Sequence, residues 1–370
     1  MNKILLILTI IFFSSCTQKD KPTFTLQGQI ENPENNFILL YQENDIERKL
    51  STLIDTIYLD ENGNFKAEYF QDPHYYTLVI NENKRIPLAI DDNQQITIHV
   101  NDSITVITGS KDTDLLLEYE EVRKESLNRL VVAVRNEISE ENEKDHPDPI
   151  KIDSLGKLEL LNYELHLEEI NGFIKNKMGN SIALYPTSLR WKDNYISLFD
   201  SLVSTFETTH HQLPIAHQLR EKTTRLQQTA VGGKVPEIAM NTANGDTVSL
   251  FAINKKYTLI DFWASWCAPC RRESAALNTT YEKYKNKGFS IYGISLDTDK
   301  NQWINALEKD NRVWPNVSSL EGFQTPAAYN YTITALPMNY LIDEKGTIID
   351  KNLHGEELIS QIDSVMKSEL

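Results

Sequence analysis

Short runs rich in β-branched and aromatic residues occupy positions 24–30, 37–42, 54–59, 65–69, 75–80, 96–100 and 104–108, and turn-forming residues separate them. Asn62-Gly63, lying between Leu59 and Phe65, is the clearest hairpin signal among them. Seven short strands at this spacing predict a small all-β domain, a sandwich or a barrel, over residues 23–109.

From position 110 to about 230 the apolar period changes to that of helices. Leu115, Leu116, Tyr119, Val122, Leu127, Leu130 and Val131 recur at spacings of three and four, and a charged break over 139–149 separates this helix from the next, 152–177. The pattern predicts an α-helical segment of two to four antiparallel helices. His210, His211 and His217 lie close in sequence there, but no Cys stands near them, so they read as surface residues. Gly232-Gly233 and Pro236 mark the next boundary.

Residues 231–370 read as a lead-in hairpin (235–250), strand 257–263, helix 268–287, strand 289–295 and helix 299–310. A loop and short helix follow, then strand 338–342, a turn, strand 347–350 and an amphipathic helix over 356–367. Strands alternating with helices and closing on a strand hairpin and a helix predict an α/β domain.

The chain has 370 residues, enough for two or three domains. Its 53 acidic against 37 basic residues, net −16, argue against nucleic acid as a partner and supply no basic patch for anionic lipid. The N-terminus bears on compartment. Asn2 and Lys3 precede an apolar stretch from Ile4 to Phe13, too short to span a bilayer but suited to the core of a signal peptide. Ser14-Ser15-Cys16 then resembles the lipobox of bacterial lipoproteins, with Phe13 a departure from the usual leucine. On that resemblance residues 1–16 are a lipoprotein signal peptide, Cys16 is acylated as the lipid anchor, and 17–22 form a tether. Three cysteines less one acylated leave a single pair, as suits an exported protein.

That pair is Cys267 and Cys270. Trp266-Cys267-Ala268-Pro269-Cys270 closes an apolar strand and opens a helical pattern, so the first sulfur sits at a helix N-terminus, where the helix dipole favours the thiolate. A structural zinc site needs two further ligands and no second Cys-x-x-Cys exists, so the spacing points to a redox dithiol and to no metal or cofactor. Cys267 is the expected nucleophile, exposed at the helix start, and Cys270 the resolving thiol one turn inside. Pro269, in the first turn, stiffens the pair without breaking the helix. Asp261 is an acid within a strand that should be buried on both faces, where an unpaired carboxylate is expensive.

The stretch from Asp261 to Glu273, with Leu336-Pro337 before the strand Asn339-Tyr340-Leu341-Ile342-Asp343, resembles the membrane-anchored, thioredoxin-like thiol-disulfide oxidoreductases of the TlpA/ResA type. The resemblance covers roughly residues 231–370. The β-rich region is similar, in arrangement more than motif, to the domain found ahead of some anchored oxidoreductases. The resemblance implies that Asp261 is the buried proton relay for Cys270, and that Glu273, on the helix face of Cys270, tunes cysteine reactivity. Its alternative is a surface partner for Arg271, Arg272 or a lysine. Trp266 covers the sulfur or packs as a core aromatic. Pro337 matches the family's cis-proline facing the dithiol, so that Leu336 offers its backbone to an extended substrate segment.

The expectation is therefore a periplasm-facing lipoprotein that reduces disulfides of exported proteins, as relatives do in cytochrome c maturation, and draws electrons from a membrane thiol protein. The Ala268-Pro269 dipeptide lacks the histidine typical of strong oxidants, which favours the reductive direction. Two rivals are a partner-binding or redox-sensing lipoprotein, and a peroxidase of the peroxiredoxin kind. The second lacks its usual Thr-x-x-Cys, since Trp263 or Ala264 occupies the place of the threonine.

Overall fold

A computed structural model of the chain describes residues 22–367. The expected signal peptide, Cys16 and all but the last residue of the expected tether lie outside the described residues. The chain divides into two compact units, residues 1–186 and 187–370.

In the first unit, strands β1 (Phe24–Ile30), β2 (Phe37–Asp45), β3 (Leu50–Tyr58), β4 (Asn64–Tyr69), β5 (His74–Val79), β6 (Arg85–Ile90), β7 (Gln94–Val100) and β8 (Thr105–Thr108) form two four-stranded sheets, ordered β4-β1-β7-β8 and β3-β2-β5-β6. One core cluster draws Leu26, Phe65, Ile96 and Ile98 from the first sheet and Leu40, Tyr76, Leu78 and Leu88 from the second. Inward residues from two sheets meeting in a single core make a sandwich.

Two features depart from the sequence reading. The turn at Asn62-Gly63 forms, with Gly63 N–H donating to the Asp60 carbonyl over 2.9 Å, but it is no hairpin, because β3 pairs with β2 whereas β4 pairs with β1. A turn motif specifies a local reversal and leaves the pairing partner to long-range packing. Strand β6 has no counterpart among the predicted strands, because Pro87 interrupts its pattern; it runs along a sheet edge, the place where a missing backbone donor is tolerated.

The helical stretch over 110–230 is divided between the units. Helices Lys111–Leu127, Ala133–Asn142 and Pro149–Phe173 belong with the sandwich, whereas Ile196–His210 and Pro214–Gln228 belong with the C-terminal unit. The first helix is held to β6 by Ser110 and Thr113, whose hydroxyls both donate to the Ala89 carbonyl at 2.9 and 2.8 Å. His210 is not on the surface as expected. It is buried and stacks on Phe206, one turn back along the same helix. Arg225, on the helix before the α/β domain, stacks on the Tyr329 ring at 3.8 Å and donates to its hydroxyl at 2.8 Å, fastening the helix to that domain.

The α/β domain begins with a hairpin of β9 (Ala239–Asn241) and β10 (Thr247–Ser249). Its main sheet contains β11 (Tyr257–Trp263), β12 (Phe289–Ser295), β13 (Asn316–Val317), β14 (Met338–Asp343) and β15 (Ile348–Lys351), ordered β13-β12-β11-β14-β15. β11 is central, parallel to β12 and antiparallel to β14. Alternation along β11 sends Ile260 and Phe262 into one core layer and Leu259 into the other, beneath helices Ala268–Tyr284 and Gly355–Lys367. Asp261 continues the row of Leu259. Its burial follows from strand period alone.

Candidate active site

The Ala268–Tyr284 helix starts one loop after the carboxyl end of β11, and Cys267 is its N-cap residue. Cys267 and Cys270 form a disulfide, and the Cys270 N–H donates to Cys267 Sγ at 3.3 Å. Helix geometry brings positions i and i+3 onto one face, so the spacing itself delivers the two sulfurs to each other. Contrary to the sequence expectation, Cys267 is not exposed in this disulfide form: Cys267 and Cys270 are 4% and 2% accessible. They share an apolar cluster with Trp263, Trp303 and Ala306, and Leu320 and Leu336 pack against it. Several members of that cluster come from segments distant in sequence, among them Trp303 and Ala306 of the Lys300–Lys309 helix.

Trp266, in contrast, is 56% exposed and so is no core aromatic. Its ring lies 6.3 Å from that of Phe323, which is also exposed. The loop leading to it is fixed by buried Asp297, which accepts from the Ser265 N–H at 2.9 Å and from the Ser265 hydroxyl. Arg271 reinforces the same loop. Its guanidinium takes both carboxylate oxygens of Asp310 and donates to the Ser265 carbonyl at 3.1 Å. The Leu336–Pro337 peptide bond is cis, and Leu336 packs on the cysteine cluster.

Asp261 is 3% accessible, and the partner that offsets the cost of burying its carboxylate is Arg312. Arg312 Nη1 donates to Asp261 Oδ2 at 2.8 Å, and the two side chains are 0% and 5% accessible. The same guanidinium donates through Nη2 to the Cys270 carbonyl at 3.2 Å and through Nε to Ser274 Oγ at 3.1 Å. Its Cζ lies 3.9 Å from the Trp263 ring centre. Burial pushes the Asp261 carboxyl above the ordinary carboxylate range; the charge and hydrogen bond of Arg312 oppose that shift, and nearby Glu273 adds to it.

Glu273 finds its partners in neither arginine beside it. Its Oε1 accepts from the Gly355 N–H at 3.1 Å and lies 3.3 Å from His354 Nδ1. The route to this contact passes through the sheet: Asn339, opposite Asp261 in register, holds Leu353 by two side-chain hydrogen bonds, of 2.6 and 3.1 Å, and so presents His354 and Gly355 to the cysteine helix. Arg312, Asp297 and Asn339 are the site residues that sequence reasoning missed. A charged or amide residue inside an apolar strand, as with Asn339, was the available signal. For Arg312, in a loop after a helix, there was none.

Chemically, the arrangement supplies a dithiol and disulfide pair, a helix N-terminus at the first sulfur, and a buried acid joined through Arg312 to the backbone of the second cysteine. Among the described residues no cluster of His, Cys, Asp and Glu is set to hold a metal.

Residues 231–351 match the AhpC/TSA family, and residues 24–116 match a domain of unknown function, DUF4369. Thiol-disulfide oxidoreductase ResA of Bacillus anthracis is 28% identical over 149 residues, 38% of this chain and 79% of that protein. Thioredoxin-like protein YneN of Bacillus subtilis (strain 168) is 27% identical over 121 residues, 32% of this chain and 69% of that protein. Among solved structures, the thioredoxin domain of a thiol-disulfide oxidoreductase from Bacteroides vulgatus is 34% identical, spans 37% of this chain and 99% of its own, and superposes with a TM-score of 0.36.

Proposed function

The chain is a thiol-disulfide oxidoreductase of the ResA/TlpA-like kind, and we propose that it runs reductively on disulfides of exported proteins while tethered to the membrane through Cys16. The observation that carries the chemistry is the Cys267–Cys270 disulfide at the start of the Ala268–Tyr284 helix. In the reduced form the Cys267 thiolate attacks a substrate disulfide, a substrate thiolate leaves, and a mixed disulfide remains. Cys270 loses its proton, attacks Cys267 Sγ and expels the second substrate thiolate, which takes up a proton. The substrate gains two electrons and two protons, and the enzyme is left as the disulfide.

The Ala268-Pro269 dipeptide, without a histidine, supports the reductive direction, and the kinship to ResA supports substrates of the cytochrome c maturation type. A membrane thiol protein would return the electrons. Ser14-Ser15-Cys16 supports lipid anchoring with the domains facing the periplasm. Trapping tests the substrate: a Cys270→Ala variant should retain apo-cytochrome or other exported cysteine proteins as mixed disulfides on Cys267, and retention of none sinks the reading. Cys16→Ser should release the chain from the membrane fraction or leave it unprocessed; normal processing and fractionation would remove the anchor.

A further inference from the structure

Arg312 comes from the loop between the Lys300–Lys309 helix and β13, remote in sequence from the dithiol, yet it is fully buried and holds four groups at once. Those are the Asp261 carboxylate, the Cys270 carbonyl, the Ser274 hydroxyl and the Trp263 ring. A fork of this kind is rigid: its donors lie in one plane, and each partner fixes the others. An isolated buried ion pair is weak evidence for stability alone. Here the pair spans the two parts that must cooperate, the acid on β11 and the first turn of the cysteine helix.

We propose that Arg312 is a positioning residue for the second step of exchange, holding the Asp261 carboxylate and the turn bearing Cys270 in the register in which the thiol delivers its proton to the acid. The inference rests on the oxidoreductase reading. In that step Cys270 passes its proton to Asp261, forms the bond to Cys267 Sγ and breaks the mixed disulfide, so that the leaving thiolate carries away the electron pair. The guanidinium opposes the upward push of burial on the Asp261 carboxyl and so favours the ionised form that can accept; once Asp261 is neutral, the same positive charge stands beside the turn on whose sulfur negative charge develops. The charged and titratable groups facing Asp261 are Arg312, Glu273 on the cysteine helix and His354 from the loop before the last helix. Of these, Arg312 alone bonds both Asp261 and the Cys270 turn.

The test uses the reduced full chain and an aromatic disulfide, 5,5′-dithiobis(2-nitrobenzoate), whose first and second thionitrobenzoate releases report mixed-disulfide formation and resolution separately. Arg312→Met should leave the first release within about twofold. It should slow the second about tenfold or more at neutral pH and move its acid limb to higher pH, each pH unit of displacement being a factor of ten in ionised acid. Arg312→Lys, which keeps the charge and loses the fork, should keep the limb in place with a severalfold lower plateau. In an Asp261→Asn background Arg312→Met should add less than about twofold, since residues that act as a unit are not additive. An unmoved limb in Arg312→Met, equal slowing with and without Asp261, or a wild-type plateau in Arg312→Lys overturns the inference. The last remains readable if the Met variant does not fold. No second release from the wild-type chain would instead remove the oxidoreductase reading, and the inference with it.

Discussion

Arg312 and Asp261 form an ion pair of 2.8 Å between side chains that are 0% and 5% accessible, one from a loop and one from the central strand. Breaking the pair from either end has unequal consequences. Asp261→Asn leaves a guanidinium that cannot shed its charge, and the loss should be about 3–5 kcal/mol at any pH. Arg312→Met leaves a carboxyl that can hold its proton. Burial already lifts Asp261 above its ordinary value of 3.8, so the folded state keeps a proton that the unfolded state releases, and stability falls as pH rises through that window. Without Arg312 the window extends further upward. Urea unfolding of the oxidised variants, followed by tryptophan emission at pH 5 and pH 8, should show Arg312→Met losing stability with pH and Asp261→Asn nearly level. Parallel pH dependences would contradict this account.

The two cysteines are almost equally buried, so accessibility does not choose the nucleophile. Position does. Cys267 caps the helix and Cys270 lies within it, so the reduced Cys270→Ala variant should be alkylated about tenfold faster at neutral pH than the Cys267→Ala variant. Equal rates, or a faster Cys270, would reverse the assignment.

Asp261 lies on the strand, bonded to Arg312, whereas Glu273 is tied to His354 and Gly355 at the edge of the site. We expect Asp261→Asn to accumulate the mixed disulfide by slowing its resolution by about 10²-fold, within the range of general-base catalysis. Glu273→Gln should shift the pH profile of the first step and change resolution little. Stopped-flow traces that show unaltered resolution in Asp261→Asn would pass the proton-transfer role to Glu273.

Trp266 and Phe323 expose an aromatic pair beside buried sulfurs, which suits an extended substrate segment more than a small disulfide. Trp266→Ala and Phe323→Ala should each raise KM for a protein disulfide by about three- to tenfold, or ~0.7–1.4 kcal/mol. Turnover of 5,5′-dithiobis(2-nitrobenzoate) should stay within about twofold. Equal losses with both substrates would place the pair in the chemistry or the fold instead.

The sequence by itself determined what depends on local period and spacing. The strand Tyr257–Trp263 and the strand Phe289–Ser295 could be bounded to the residue, the cysteine helix was placed by Cys267-x-x-Cys270 and Pro269, and Asp261 was flagged because a charge breaks an apolar run. Each is a property of neighbours in the chain. Only the tertiary structure decided who meets whom. It sent β3 and β4 to different sheets across an intact turn, divided the helical stretch between two units, and buried Cys267 in an apolar cluster with Trp303 and Ala306. It also carried Arg312 across 51 positions of chain to Asp261, and His354 to Glu273. Long-range partners are chosen by packing and by the need to neutralise buried charge, and neither leaves a periodic trace around the residue that answers it.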